Sequence, residues 1–180
     1  MANFCDYEIR VKGSKKSTQM VLYSMPALDF KDLDDEERIG DDYLLSFSGN
    51  CKWSVNFRVI DHLEPVDLES MSESEIQEEA EQYWDYSLRA KSEAFHCEIM
   101  AHYWSEESGF DQFDHYKYGK ILKRRKIAYN YEEQNEFDWD TLEFVGHEGE
   151  YDESVDGEES DAALMSMFLG PEKEAIRKLN

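Results

Sequence analysis

Charge is sorted along this chain in a way that limits which segments can build its core. Of the 42 acidic residues, 32 fall in three segments that hold only 2 of the 19 basic ones. Residues 29–42 carry 8 acids and 2 bases, residues 61–85 carry 10 acids and no base, and residues 132–161 carry 14 acids and no base. The rest of the chain has 10 acids against 17 bases, a net charge of +7 inside a chain whose total is −23. A carboxylate is costly to bury unpaired, so the acidic segments belong to surface helices and loops around a near-neutral to basic body. Strongly negative surfaces repel nucleic acid and anionic membranes and attract basic protein surfaces.

Size and composition point to one domain with appended segments. The chain has 180 residues, is 41% hydrophobic and 14% aromatic, and contains only 3 Pro and 9 Gly. That aromatic content is too high for an acidic disordered tail and fits a chain rich in regular structure. No apolar run is long enough for a transmembrane helix. The opening residues lack a basic segment followed by an apolar run, so no signal peptide is expected. Cys5, Cys51 and Cys97 are odd in number and widely spaced, as expected of reduced, buried thiols in a cytoplasmic protein.

Hydrophobic periodicity orders the elements. Tyr7, Ile9 and Val11 alternate with polar residues over 4–11, the mark of a strand, and Gly13-Ser14 ends it and opens a helix over 15–25. Residues 29–42 read as an acidic connection. Residues 43–48 and 51–60 both alternate, and Gly49-Asn50 between them reads as a hairpin turn. The clearest helix spans 72–93. Ser72 and Glu75 form a capping box, Ile76, Ala80, Tyr83, Trp84, Ser87 and Leu88 recur at helical spacing, and the acids fall early, where the helix dipole favours them. Residues 95–103 read as a strand, and 110–118 with 121–131 as a hairpin around Gly119-Lys120. Phe137, Trp139, Leu142, Phe144, Val145 and Tyr151 suggest that the acidic tail packs partly on the body. A short terminal helix is expected over 172–179. The order is strand, helix, strand, strand, helix, strand, then a hairpin. It predicts an α+β fold: a ferredoxin-like split βαβ antiparallel sheet with an added hairpin over 1–131, and an acidic C-terminal extension over 132–180.

The opening Met1-Ala2-Asn3-Phe4-Cys5, with a strand ending at Gly13, resembles the YubB-type ferredoxin-like family of plasmids and phages. Members commonly begin Met-x-Asn-Trp-Cys, and Phe4 stands here where Trp is usual. Lys52-Trp53-Ser54 and the later Glu106/Glu107, Gly109-Phe110 and Gly119 also match, so the resemblance spans about 1–131. It implies a ferredoxin-like fold, a domain of unknown function and a mobile-element setting. It carries over no catalytic residue.

Motifs for chemistry are scarce. There is no Gly-x-Ser-x-Gly, no phosphate loop and no Gly-x-Gly-x-x-Gly. His96 and His102 would share one face of a strand but lie about 20 Å apart at roughly 3.3 Å per residue, so a metal site with Cys97 is not expected. The acids of 138–140 and 152–161 do not follow the calcium-loop pattern. Acid pairs such as Glu106/Glu107 occur by chance in so acidic a chain. Lys117, Lys120, Lys123, Arg124, Arg125 and Lys126 form a basic strip with Tyr116, Tyr118 and Tyr129 nearby. It reads either as a nucleic-acid contact or, preferably, as the internal counterpart of the acidic tail.

The expectation that follows is a non-enzymatic, cofactor-free protein-binding inhibitor from a mobile element. Its acidic faces would imitate DNA and block a nucleic-acid-binding host defence protein, in the manner of an anti-CRISPR or anti-restriction protein. Duplex DNA carries one charge per about 1.7 Å. An acidic helix here would carry one per about 3–4 Å, and a second acidic segment beside it would approach DNA density. The residues expected to bind are Glu73, Glu75, Glu78, Glu79 and Glu81, then Asp34, Asp35, Glu36 and Glu37. The partner would be a basic protein in the bacterial cytoplasm, with no direct role for nucleic acid or membrane. The alternative is a non-catalytic interaction module with apolar contacts through Trp53, Phe57, Trp104 or residues 162–169.

Overall fold

The computed structural model describes residues 4–25, 32–52, 60–130 and 135–146. Its central strand, β1 (Phe4–Gly13), sends Cys5, Tyr7, Ile9 and Val11 to one face, each at most 1% exposed. Both neighbours run antiparallel to it. On one side lies β3 (Asp42–Lys52), on the other β4 (Glu98–Ser105). Ile9 stands between Phe47 and Ala101, and Val11 between Leu45 and Ile99, so one apolar row crosses three strands. β2 (Asp32–Ile39) extends the sheet beyond β3, and β5 (Phe110–Lys117) and β6 (Lys120–Ala128) extend it beyond β4. The order is β2-β3-β1-β4-β5-β6, antiparallel throughout.

Three short helices cover the apolar face. α1 (Lys15–Ser24) starts where the Ser14 hydroxyl accepts from the backbone N–H of Ser17 at 3.1 Å, and it buries Met20 and Val21. After a 3-10 turn (Leu68–Ser70) comes α2 (Glu73–Glu79), closed by the expected capping box of Ser72 and Glu75. A second 3-10 turn (Ala80–Tyr83) leads to α3 (Leu88–Ala94).

The ferredoxin-like expectation is overturned. Of the described residues 47% are strand and 25% helical, so the molecule is a mostly β, six-stranded antiparallel sheet with three short helices. Two segments account for the difference. The single helix expected over 72–93 breaks, because Ser87 is already bonded elsewhere: its N–H donates to Ile60 O at 2.9 Å and its hydroxyl to Asp61. The same Ser87 oxygen accepts from Ala90 N–H and so starts a new helix. The acidic segment 29–42, expected as a connection, supplies an edge strand.

The Gly49-Asn50 turn is also corrected. β3 runs through both residues without a break, and Gly49 faces Tyr7 across the ladder. A Cβ at position 49 would lie 2.6 Å from the Tyr7 hydroxyl oxygen, so glycine is there for close approach and not for a turn. The hairpin to β3 instead comes from β2 through Gly40-Asp41, with Gly40 at a φ of +66°. Residues 53–59 of the expected third strand lie outside the described residues. The β5–β6 hairpin forms at Tyr118-Gly119, one residue before the expected centre. Both residues have positive φ, 50° and 79°, as a type I′ loop requires.

The opposite face of the sheet is covered in part by β7 (Phe137–Asp138) and β8 (Glu143–Phe144), a small antiparallel pair. Phe137, Trp139, Leu142 and Phe144 pack there with Phe113, Ile127 and Met100, as their presence in the acidic tail suggested. Val145 is half exposed. Tyr151 and the expected helix over 172–179 lie outside the described residues. No helix among the described residues is long and apolar enough to cross a membrane.

Candidate functional site

The helical period that buries Ile76 and Ala80 turns Glu73, Glu75, Glu78, Glu79 and Glu81 to solvent. Two of these five have strong local partners. Lys15 Nζ donates to Glu73 at 2.8 Å, and this bond with its charge holds the Glu73 carboxyl below the usual carboxylate range. Glu75 accepts from the Ser72 backbone N–H at 2.6 Å, which lowers its carboxyl likewise. Glu79 accepts from the Gln82 amide at 3.3 Å.

The β2 acids divide between the two faces of the sheet, because successive strand residues point opposite ways. Glu36 pairs with Leu45 and lies on the helix-covered face, where its charge helps to raise the Lys15 ammonium, after Glu73. Asp35 and Glu37 pair with Ser46 and Leu44 on the opposite face, and Asp34 accepts from the Ser48 hydroxyl at 3.2 Å. The fold therefore brings Glu36 and Glu73 together around Lys15. It places Asp34, Asp35 and Glu37 elsewhere, along an exposed sheet edge.

The basic strip is largely engaged within the molecule. Lys123 and Arg125 both reach Glu143 of the tail. Lys117 donates to Glu98 at 3.0 Å, and His115 bonds the other Glu98 oxygen at 2.7 Å. Burial alone would raise the Glu98 carboxyl; these two partners outweigh it and hold it below the usual range.

Sequence reasoning missed a dense polar cluster among the described residues. Asp114 is fully buried and accepts from Arg124 Nε at 2.7 Å, Arg124 Nη2 at 3.3 Å, the Tyr103 hydroxyl at 2.7 Å and the Tyr116 hydroxyl at 3.0 Å. Gln112 adds its amide at 3.1 Å, and Arg124 Nη2 also donates to the Tyr116 oxygen at 2.7 Å. Burial disfavours the guanidinium charge, but Asp114 and the two phenol oxygens outweigh it, so Arg124 is held above its ordinary range. Burial first, then Asp114, pushes the Tyr103 phenol far up. With its carboxylate this fully bonded, the cluster reads as a structural anchor for β4, β5 and β6.

On the other face His102 Nε2 shares a 2.7 Å hydrogen bond with Asp111, which also accepts from the Asn135 amide at 3.1 Å. Phe137 stacks on the His102 ring at 4.7 Å, and Trp104 lies at 4.9 Å. Trp139 donates to Glu8 at 3.1 Å, and Arg10 sits 4.2 Å over its ring. A His–Asp pair supplies no nucleophile by itself, and here the tail covers it. Trp104, one apolar candidate, is therefore engaged in this aromatic layer. Trp53, Phe57 and residues 162–169 lie outside the described residues.

His96 precedes β4 in a positive-φ turn and stacks on Tyr118 at 4.1 Å. Among the described residues, no three or more His, Cys, Asp or Glu side chains are arranged to hold a metal ion. Glu106 accepts from the Tyr129 hydroxyl at 3.0 Å. Compared with known proteins, the chain matches no family model, no curated protein and no solved structure.

Proposed function

We propose that this chain is a non-enzymatic protein-binding inhibitor that presents Glu78, Glu79 and Glu81, flanked by Glu73 and Glu75, to a basic partner protein. The observation that carries the reading is the placement of the 61–85 segment. It holds ten acids and no base, and its helical part is fixed from beneath by fully buried Ile76 and Ala80. The acids thus stand on a docked support, which favours recognition of a basic surface over a merely solvated tail. Internal engagement of the basic strip leaves less positive charge to offset this surface. The resemblance of the opening residues to YubB-type proteins supports a mobile-element setting in the bacterial cytoplasm. The partner is then a nucleic-acid-binding defence protein, met at the channel that normally holds DNA.

The test is capture from a bacterial lysate on the immobilised chain, eluted with a salt gradient. A basic nucleic-acid-binding protein that elutes at moderate salt, competes with duplex DNA and is lost with Glu78→Gln/Glu79→Gln/Glu81→Gln supports the reading. A partner whose affinity is flat across the gradient, or that binds the triple variant equally well, overturns it.

A further inference from the structure

The three cysteines are far apart in sequence, yet the register of β1 and β3 sets Cys5 directly opposite Cys51. Both side chains are buried on the helix-covered face, at 0% and 1% exposure. Directly opposed residues of an antiparallel pair have Cα atoms about 4.5–5.5 Å apart, within the roughly 4.4–6.8 Å that a disulfide spans. Both thiols also act on the Tyr7 hydroxyl, the next inward side chain of β1, which places them in one small cluster. Cys97 is at the other end of the sheet. Its Cβ is 3.1 Å from where a Cβ on Gly13 would be, and Gly13 lies eight positions along β1 from Cys5, about 26 Å at strand rise.

We propose that Cys5 and Cys51 are a redox pair, which a small-molecule disulfide converts to a bridge stapling the start of β1 to the end of β3. Among the described residues, one pair lies beyond it in the ladder, Phe4 opposite Lys52, and both of those residues are exposed. Local opening of the ladder around the pair admits a reagent, without unfolding the sheet. With glutathione disulfide, one protein thiolate attacks a glutathione sulfur, forming a mixed disulfide and releasing one glutathione. The facing cysteine then attacks the sulfur on its partner and releases the second. Two protein thiols are oxidised by two electrons, the glutathione disulfide is reduced by two, and each protein proton leaves on a released glutathione.

The chain contains its own control. Cys51 is 46 positions from Cys5 and 46 from Cys97, so loop closure alone does not distinguish the two bridges in an unfolded chain. The full chain is incubated with glutathione disulfide in native buffer and in concentrated urea, alkylated, and mapped by mass spectrometry. The expected native product links Cys5 to Cys51 over Cys51 to Cys97 by about tenfold or more, with Cys97 alkylated, whereas urea gives the two links in comparable yield. Oxidation should raise the melting temperature by about 5–10 °C, reversed by dithiothreitol. Cys97→Ala should still form the Cys5–Cys51 link in native buffer, with the same dithiothreitol-reversible rise in melting temperature. Equal link ratios in the two conditions overturn the proposal, as do native thiols that form no Cys5–Cys51 link even just below the melting temperature.

Discussion

The acids of α2 and the bases of β6 have opposite fates. Along α2 and the turn after it, Glu78, Glu79 and Glu81 face solvent on a support held by Ile76 and Ala80. Along β6, Arg124 is sealed against Asp114, while Lys123 and Arg125 hold Glu143 of the tail. Charge of one sign is displayed and charge of the other is used as internal fastening. A net charge read from the sequence treats both alike, although only the displayed charge is available to a partner.

The sharpest way to break this comparison is to attack the fastening. Asp114→Ala leaves a buried guanidinium unpaired and should lower stability by about 3–5 kcal/mol in urea titration, while Asp114→Leu/Arg124→Leu should cost less than either single change. A single-variant loss under 1 kcal/mol would mean that the network is not sealed. Next, Phe144→Ala removes a nearly fully buried ring by which the tail packs on the sheet and should cost about 3 kcal/mol. If the tail segment were only loosely held, the loss would be far smaller. On the display side, Ser72→Ala removes the cap of α2 and should cost about 1 kcal/mol by the same measurement. The Gln triple variant of Glu78, Glu79 and Glu81 should leave the melting curve unchanged.

The smallest effect is a pH dependence. Glu98 is held below the usual carboxylate range in the folded protein by Lys117 and His115, against its burial. The unfolded chain therefore takes up this proton first as pH falls. The contribution is complete above about pH 4.5 and is lost as pH drops through the folded value. Glu98→Gln should flatten this part of the acid limb in chemical denaturation at a series of pH values. An unchanged limb would show that the pair with Lys117 is too exposed to matter.

Period-two alternation made β1, β4 and the β5–β6 hairpin legible in the sequence, and the Ser72 capping box was legible as a local pattern. What escaped depended on partners distant in sequence. Gly49 looks like a turn until Tyr7 is placed over it. Ser87 looks like a helix interior until Ile60 and Asp61 occupy its N–H and hydroxyl. The Asp114–Arg124 pair was hidden by one residue. An even register about Tyr118-Gly119 would set Asp114 opposite Lys123, but a bulge between His115 and Tyr116 moves it to Arg124. Of the site, the α2 acids were legible because a helix period is local. The division of the β2 acids was not, because the segment had to be recognised as a strand first.

The order in which the strands leave the ribosome differs from their order in the sheet. β1 is made first and ends up in the centre, yet its two neighbours begin at residues 42 and 98. Until both arrive, Cys5, Tyr7, Ile9 and Val11 form an apolar stripe with no strand to pair. Closing the β1–β4 ladder joins residues about ninety positions apart, a non-local pairing of the kind that slows folding. Of the three acid-rich segments, 61–85 lies between β3 and β4, so its ten acids are on the growing chain while the central strand waits for its second partner, and like charge of that kind opposes association of nascent chains.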